Sequence, residues 1–118
     1  MAATTDLTAG GNGLLGCWLI VAPVVFQVPA IGRWNDVLVG ATVVLLAGYN
    51  YVGAGRRPAS TTAAGIVAVL GCWLVVAPFA LGLAGPALWS DVFSGTVIAG
   101  FGGHDAYVGA ESRREPFA

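Results

Sequence analysis

The sequence predicts an all-α integral membrane protein with four transmembrane helices, arranged as two parallel tandem helical hairpin repeats. Three observations predict it. Charged residues make up 9% of the 118 and hydrophobic residues 57%, with a mean hydropathy of +0.80. A soluble chain carries roughly 25% charged residues, so a water-soluble fold of this composition could not cover its own surface. The charges also leave long gaps: 26 residues without Asp, Glu, Lys or Arg between Asp6 and Arg33, 19 between Asp36 and Arg56, and 33 between Arg57 and Asp91. A bilayer core of about 30 Å is crossed by about 20 apolar residues rising about 1.5 Å each, and these stretches meet or approach that length. The third observation is an internal duplication.

The segment Gly16 to Gly40, GCWLIVAPVVFQVPAIGRWNDVLVG, aligns without a gap on Gly71 to Gly95, GCWLVVAPFALGLAGPALWSDVFSG, at an offset of 55 residues. Eleven of the 25 positions are identical, among them Trp18, Pro23, Trp34, Asp36 and Gly40 with their counterparts Trp73, Pro78, Trp89, Asp91 and Gly95. Both copies close on Tyr-Val-Gly-Ala followed by paired arginines, Arg56-Arg57 and Arg113-Arg114. Shared apolar composition alone does not place Trp, Pro, Trp and Asp at the same four offsets.

Taken in order, residues 1–12 read as a polar N-terminal tail. It has no basic residue, which argues against a signal peptide. Residues 13–57 form the first two-helix repeat, residues 58–110 the second, and residues 111–118 a polar C-terminal tail. The predicted spans are 13–30, 37–54, 62–83 and 92–110. The fourth is interrupted by His104 and Asp105 and is called for by the repeat. Turns at about 31–36 and 84–91 are short enough to make consecutive helices antiparallel neighbours. Two spans per copy return the chain to the same side, so the copies are parallel repeats about an axis along the membrane normal, unlike the inverted repeats of many transporters. Four of the five arginines fall on the side shared by the termini and one, Arg33, on the other. Under the positive-inside rule both termini are cytoplasmic.

The pattern W-x4-P, then about ten residues to W-[NS]-D-V-x-x-G, resembles the SPW repeat of small prokaryotic membrane proteins. It is carried by Trp18, Pro23, Trp34, Asn35, Asp36, Val37 and Gly40, and by Trp73, Pro78, Trp89, Ser90, Asp91, Val92 and Gly95. The likeness covers about residues 13–54 and 64–110. The Ser-Pro-Trp triplet itself reads Ala22-Pro23-Val24 and Ala77-Pro78-Phe79, so only its proline is present. The resemblance implies the fold and brings no biochemical activity with it.

Candidate residues each admit a structural and a functional reading. Pro23 and Pro78, expected mid-helix, would kink their helices or form a hinge or binding notch. Trp34 and Trp89 are expected at the outer boundary, and Trp18, Trp73 and the tyrosines near the cytoplasmic one, as an aromatic belt; a pigment or quinone cage is the alternative. Asp36 and Asp91 are expected as N-terminal caps of the second helix of each copy; a cation site would need them to converge across the axis. Cys17 and Cys72 read as small packing residues, since two cysteines and one histidine are too few for a zinc site. His104 and Asp105 replace Tyr49 and Asn50 of the first copy and are the candidates for cofactor binding, as ligand or proton relay. Gln27 and Thr42 are the polar residues expected at mid-span. Gly95, Ala99 and Gly103 form one row of small residues on the fourth helix, Gly102 and Ala106 a second, and Gly40 and Gly48 mark the second helix. Such rows let helices approach closely in lipid.

With no nucleophile–base pair, metal-ligand set, phosphate loop or charged path, the sequence points to a non-enzymatic structural or accessory subunit, or an oligomeric scaffold, of a prokaryotic inner membrane. The expected partners are the lipid bilayer and further copies or other membrane subunits. Nucleic acid is excluded by a net charge of −1. No cofactor is called for by any complete ligand set. The alternative is a small-ligand or cofactor binding or transport protein, with its site at the repeat interface or near His104.

Overall fold

The computed structural model describes residues 2–53, 56 and 60–114, with side chains from residue 6 to residue 111. They form four α-helices: α1 (Ala2–Val25), α2 (Ala30–Gly53), α3 (Thr61–Ala80) and α4 (Gly85–Arg114). There is no strand among them. Three helices are long and apolar enough to cross a membrane: α1 from Asp6, α2 and α3. The fourth, which carries His104 and Asp105, falls outside that measure. At about 1.5 Å per residue its 30 residues reach about 45 Å, consistent with a molecule 51 Å along its longest axis.

The helices pack in a ring, each beside its sequence neighbours and α1 beside α4. Both hairpin turns lie at one end, called here the turn end; the start of α1, the end of α2, the start of α3 and the end of α4 lie at the other. The buried apolar core runs down the middle: Leu19, Val39, Val43, Ala47, Val67, Leu74 and Ile98.

Within each hairpin the helices cross at glycine. A Cβ on Gly16 would lie 2.8 Å from the Gly40 carbonyl oxygen, and one on Gly40 would lie 2.6 Å from that of Gly16. Gly71 and Gly95 repeat the arrangement, at 2.7 and 2.6 Å, and Gly102 meets the backbone of Ala68 at 2.8 Å. Of the rows of small residues, Gly40, Gly95, Ala99 and Gly102 therefore lie at helix crossings. Gly48 and Gly103 do not: a Cβ on either would meet nothing within 4 Å. Ala106 is half-buried. Gly16 and Gly71 were visible in the sequence as repeat identities but not as crossing points.

Both hairpins turn by the same cap. Pro23 and Pro78 are the third residues from the ends of α1 and α3, not mid-helix, so they terminate the helices where a kink was expected. Each proline carbonyl accepts from the N–H five residues on, Val28 at 3.0 Å and Leu83 at 2.8 Å. The residue between adopts a left-handed conformation, Gln27 at φ 53° and Gly82 at φ 74°. This is the Schellman arrangement. A non-glycine residue there costs roughly 1–2 kcal/mol, partly offset by the flexibility glycine adds to the unfolded chain. Gln27→Gly is therefore expected to stabilise the protein by about 0.5–1 kcal/mol in detergent unfolding. Gly82→Gln should destabilise it by a similar amount, since space is open at Gly82 and only the backbone objects.

The boundaries differ from the sequence expectation, and α1 and α3 end at Val25 and Ala80 rather than 30 and 83. Residues 2–12, read as a polar tail, begin α1, because Thr8, Ala9 and Asn12 are buried against the bundle. Helices α2 and α4 start at Ala30 and Gly85, earlier than 37 and 92. The C-terminal helix runs on to Arg114, so 111–114 are helix rather than tail. Residues 115–118 and Arg57, one of the arginines used for orientation, lie outside the described residues.

Candidate functional site

The earlier helix starts move the motif residues relative to one another. Asp36 is the seventh residue of α2 and Asp91 the seventh of α4, so neither is an N-terminal cap. Both instead point inward, 2% and 1% exposed. They come together across the centre of the ring, close enough for their carboxyl groups to interact. Two carboxyl groups in contact can bond to each other only when one of them carries a proton. Asn35 adds a long contact from its amide nitrogen to Asp36 Oδ1 at 3.4 Å, while Asp91 Oδ2 is buried with no partner.

The neighbours of this pair are tied crosswise. Trp18 of the first hairpin donates its indole N–H to Ser90 Oγ of the second at 2.9 Å. Trp73 of the second donates to Asn35 Oδ1 of the first at 2.7 Å. Trp18 and Trp73, Asn35 and Ser90, and Asp36 and Asp91 are each separated by the same 55 residues, so one side chain of every pair reaches into the opposite copy. These bonds place Trp18 and Trp73 near the turn end, level with Asn35 and Ser90. They do not mark the opposite boundary; for Trp18 the reason is that α1 begins at Ala2, well before the expected 13. Trp34 and Trp89 stand exposed at the same end.

Trp73→Phe is expected to lower stability by about 1 kcal/mol. In a double-mutant cycle with Asn35→Ala, and in the mirrored cycle of Trp18→Phe with Ser90→Ala, coupling of about 0.5–1.5 kcal/mol is expected. Zero coupling in both would reduce the indoles to surface anchors.

An apolar groove of about 610 Å³ opens beside this cluster, lined by Leu15, Trp18, Phe26, Pro86, Trp89 and Phe93 among others. Trp18 and Phe26 meet there edge to face, with ring centroids 5.9 Å apart.

A second polar group lies toward the termini. Thr8 donates to Asp105, and the Asn12 amide nitrogen makes a long contact with the Ile98 carbonyl at 3.4 Å. Asn12 Oδ1 has no partner, although the residue is 1% exposed. On the other side of the ring Asn50, the counterpart of Asp105, accepts from the Ser60 N–H at 2.7 Å. Ser60 in turn caps α3. The two positions thus do one job, each tying the end of a second helix to the start of a first.

His104 and Asp105 do not act together in this structure: Asp105 is buried on Thr8, whereas His104 is exposed on the adjacent face. Gln27 lies in the turn, and exposed Thr42 bonds its own helix at Leu38, so neither reaches the centre. Cys17 and Cys72 are exposed rather than packed. Among the described residues no three His, Cys, Asp or Glu side chains come together as a metal-binding set. Sequence reasoning missed Asn12 and gave the meeting of the aspartates only as the alternative to capping. The signal for the second was the duplication itself, which puts the two aspartates at the same repeat position.

Fold and site define a small, multi-pass helical membrane protein whose polar motif residues gather at the join between its halves. The chain belongs to the SPW repeat family: the model of the SPW repeat domain matches residues 6–104. No curated protein and no solved structure matches it.

Proposed function

We propose that the protein is a non-enzymatic structural subunit, an accessory component or oligomeric scaffold of a prokaryotic inner membrane. In this reading all four helices cross the bilayer as two parallel hairpins, with both termini cytoplasmic. The observation that carries it is the internal use of the motif. Trp18, Trp73, Asn35 and Ser90 bond within the chain, Asp36 and Asp91 are buried in it, and the paired glycines serve the helix crossings. What remains outside is apolar: Leu7, Leu14, Leu45, Val69 and Phe93 are among the large side chains left exposed. A surface of that kind suits lipid and other membrane helices.

Purification from native membranes in mild detergent tests the proposal. Co-purification of a defined partner or a stable oligomer is expected; a protein that always runs alone as a monomer rules it out. For orientation, a single cysteine added at either terminus of a Cys17→Ala, Cys72→Ala protein should resist impermeant thiol reagents in intact cells. Labelling from outside would reverse the assignment.

A second reading, a small-ligand site at the repeat interface, is favoured by the convergence of Asp36 and Asp91 at the centre of the ring. The same geometry makes His104 the weaker place for a ligand.

A further inference from the structure

Among the described residues, the carboxyl pair at the join of the two hairpins has no countercharge. On α1 the ionisable groups beyond Asp6 reduce to exposed Cys17, and on α3 to exposed Cys72. On α2 the nearest is Arg33, which is exposed one turn before Asp36, and on α4 nothing ionisable lies between Asp91 and His104. The turns at 26–29 and 81–84 carry no charge. Two carboxylates in contact, buried and with no cation facing them among the described residues, repel strongly. A carboxylic acid bonded to a carboxylate attracts instead.

The pair is also placed to be reached. Asp36 lies six residues into α2, about 9 Å from its start, so a proton has a short way to travel from the turn-end surface. Asp91 Oδ2, buried and unpartnered, is the acceptor position left open.

Resting on the repeat-interface reading, we propose that Asp36 and Asp91 form a proton-binding latch between the two hairpins. One proton shared by the two carboxyl groups holds the turn end of the bundle closed. Its release to water sets two carboxylates against each other and parts α2 from α4. The crossed indole bonds sit on the immediate neighbours of the pair, Asn35 and Ser90, so opening the latch strains or breaks both.

The same bonds make the test direct. The full-length protein is titrated in mild detergent from about pH 4 to about pH 10, a range that spans ordinary and strongly shifted carboxyl groups, while tryptophan fluorescence is recorded. One reversible transition is expected on raising the pH. Asp36→Asn and Asp91→Asn each leave a neutral amide beside the remaining carboxyl and should abolish it. Asp105→Asn, which removes the other buried carboxyl, should leave it in place. The proposal is overturned if the wild type shows no transition, if the transition survives in both pair variants, or if Asp105→Asn removes it.

Should a pair variant fail to fold, infrared spectra of the Asp105→Asn protein decide. Loss of a protonated carboxylic acid C=O band at the fluorescence midpoint supports the latch, and a fluorescence transition with no such loss overturns it. The titration is repeated with sodium replaced by choline: an unchanged midpoint supports a proton, and a sodium-dependent one assigns the site to a metal cation and overturns the proposal. The scaffold reading stands or falls separately, on co-purification.

Discussion

Gly71→Ala is expected to collapse the packing of α3 on α4. The added Cβ would lie 2.4 Å from the Ala99 backbone nitrogen and 2.7 Å from the Gly95 carbonyl oxygen. Both are backbone atoms, which cannot rotate aside as the end of a side chain can. One helix must therefore retreat from the other along the crossing, loosening Leu74 and Ile98, which are fully buried beside it. Overpacking of a tight site costs about 1–3 kcal/mol and occasionally more; with backbone on both sides the expected loss is about 3 kcal/mol. Gly48→Ala is the control. Nothing lies within 4 Å of its Cβ, so only helix propensity changes, and the variant should be neutral or more stable by up to about 1 kcal/mol. Unfolding of both proteins in the same detergent reads the contrast. Equal effects would mean that glycine content, rather than the crossing, sets the stability.

Asn12→Val is expected to act with the opposite sign. The residue 55 positions on is Val67, part of the apolar core. Asn12 occupies the corresponding place with one oxygen unpartnered and its amide nitrogen held only by a 3.4 Å contact. Burying a polar group without a hydrogen bond costs about 1–3 kcal/mol by protein mutational data, so valine should raise stability by about that amount. A loss of stability would show that Asn12 Oδ1 has a partner, such as a trapped water, that only the amide can hold.

Helix content and hairpin topology were legible because lipid solvation demands long uncharged stretches and because the duplication supplied two readings of one pattern. What failed was depth along the helix. Thr8 and Asn12 were assigned to a tail on polarity alone, yet a bundle interior can bury isolated polar residues that bond across a seam, as Thr8 does with Asp105. Starting α1 too late then shifted Trp18 toward the wrong boundary and left Pro23 apparently mid-helix. The aspartates failed for a different reason. An N-cap is decided by local sequence, whereas a contact between residues 36 and 91 is decided by where the symmetry axis passes. The small residues divided on the same point: spacing identifies rows on a helix, but only the position of the neighbouring helix separates Gly40 and Gly102 from Gly48 and Gly103.

The crossed tryptophan bonds have a consequence for the history of the chain. Neither hairpin contains both ends of any of them, so one hairpin alone would have to find its missing partners on a second molecule. A single-copy ancestor would meet them as a symmetric homodimer, and fusion of two copies would fix that dimer at equal stoichiometry whatever its concentration. Fusion also lets the two halves diverge, which a homodimer cannot do: Asn12 stands where the second copy has Val67, and Asp105 where the first has Asn50. Two polypeptides made by dividing the gene after Arg57 should therefore assemble when expressed together and fail to accumulate when expressed apart.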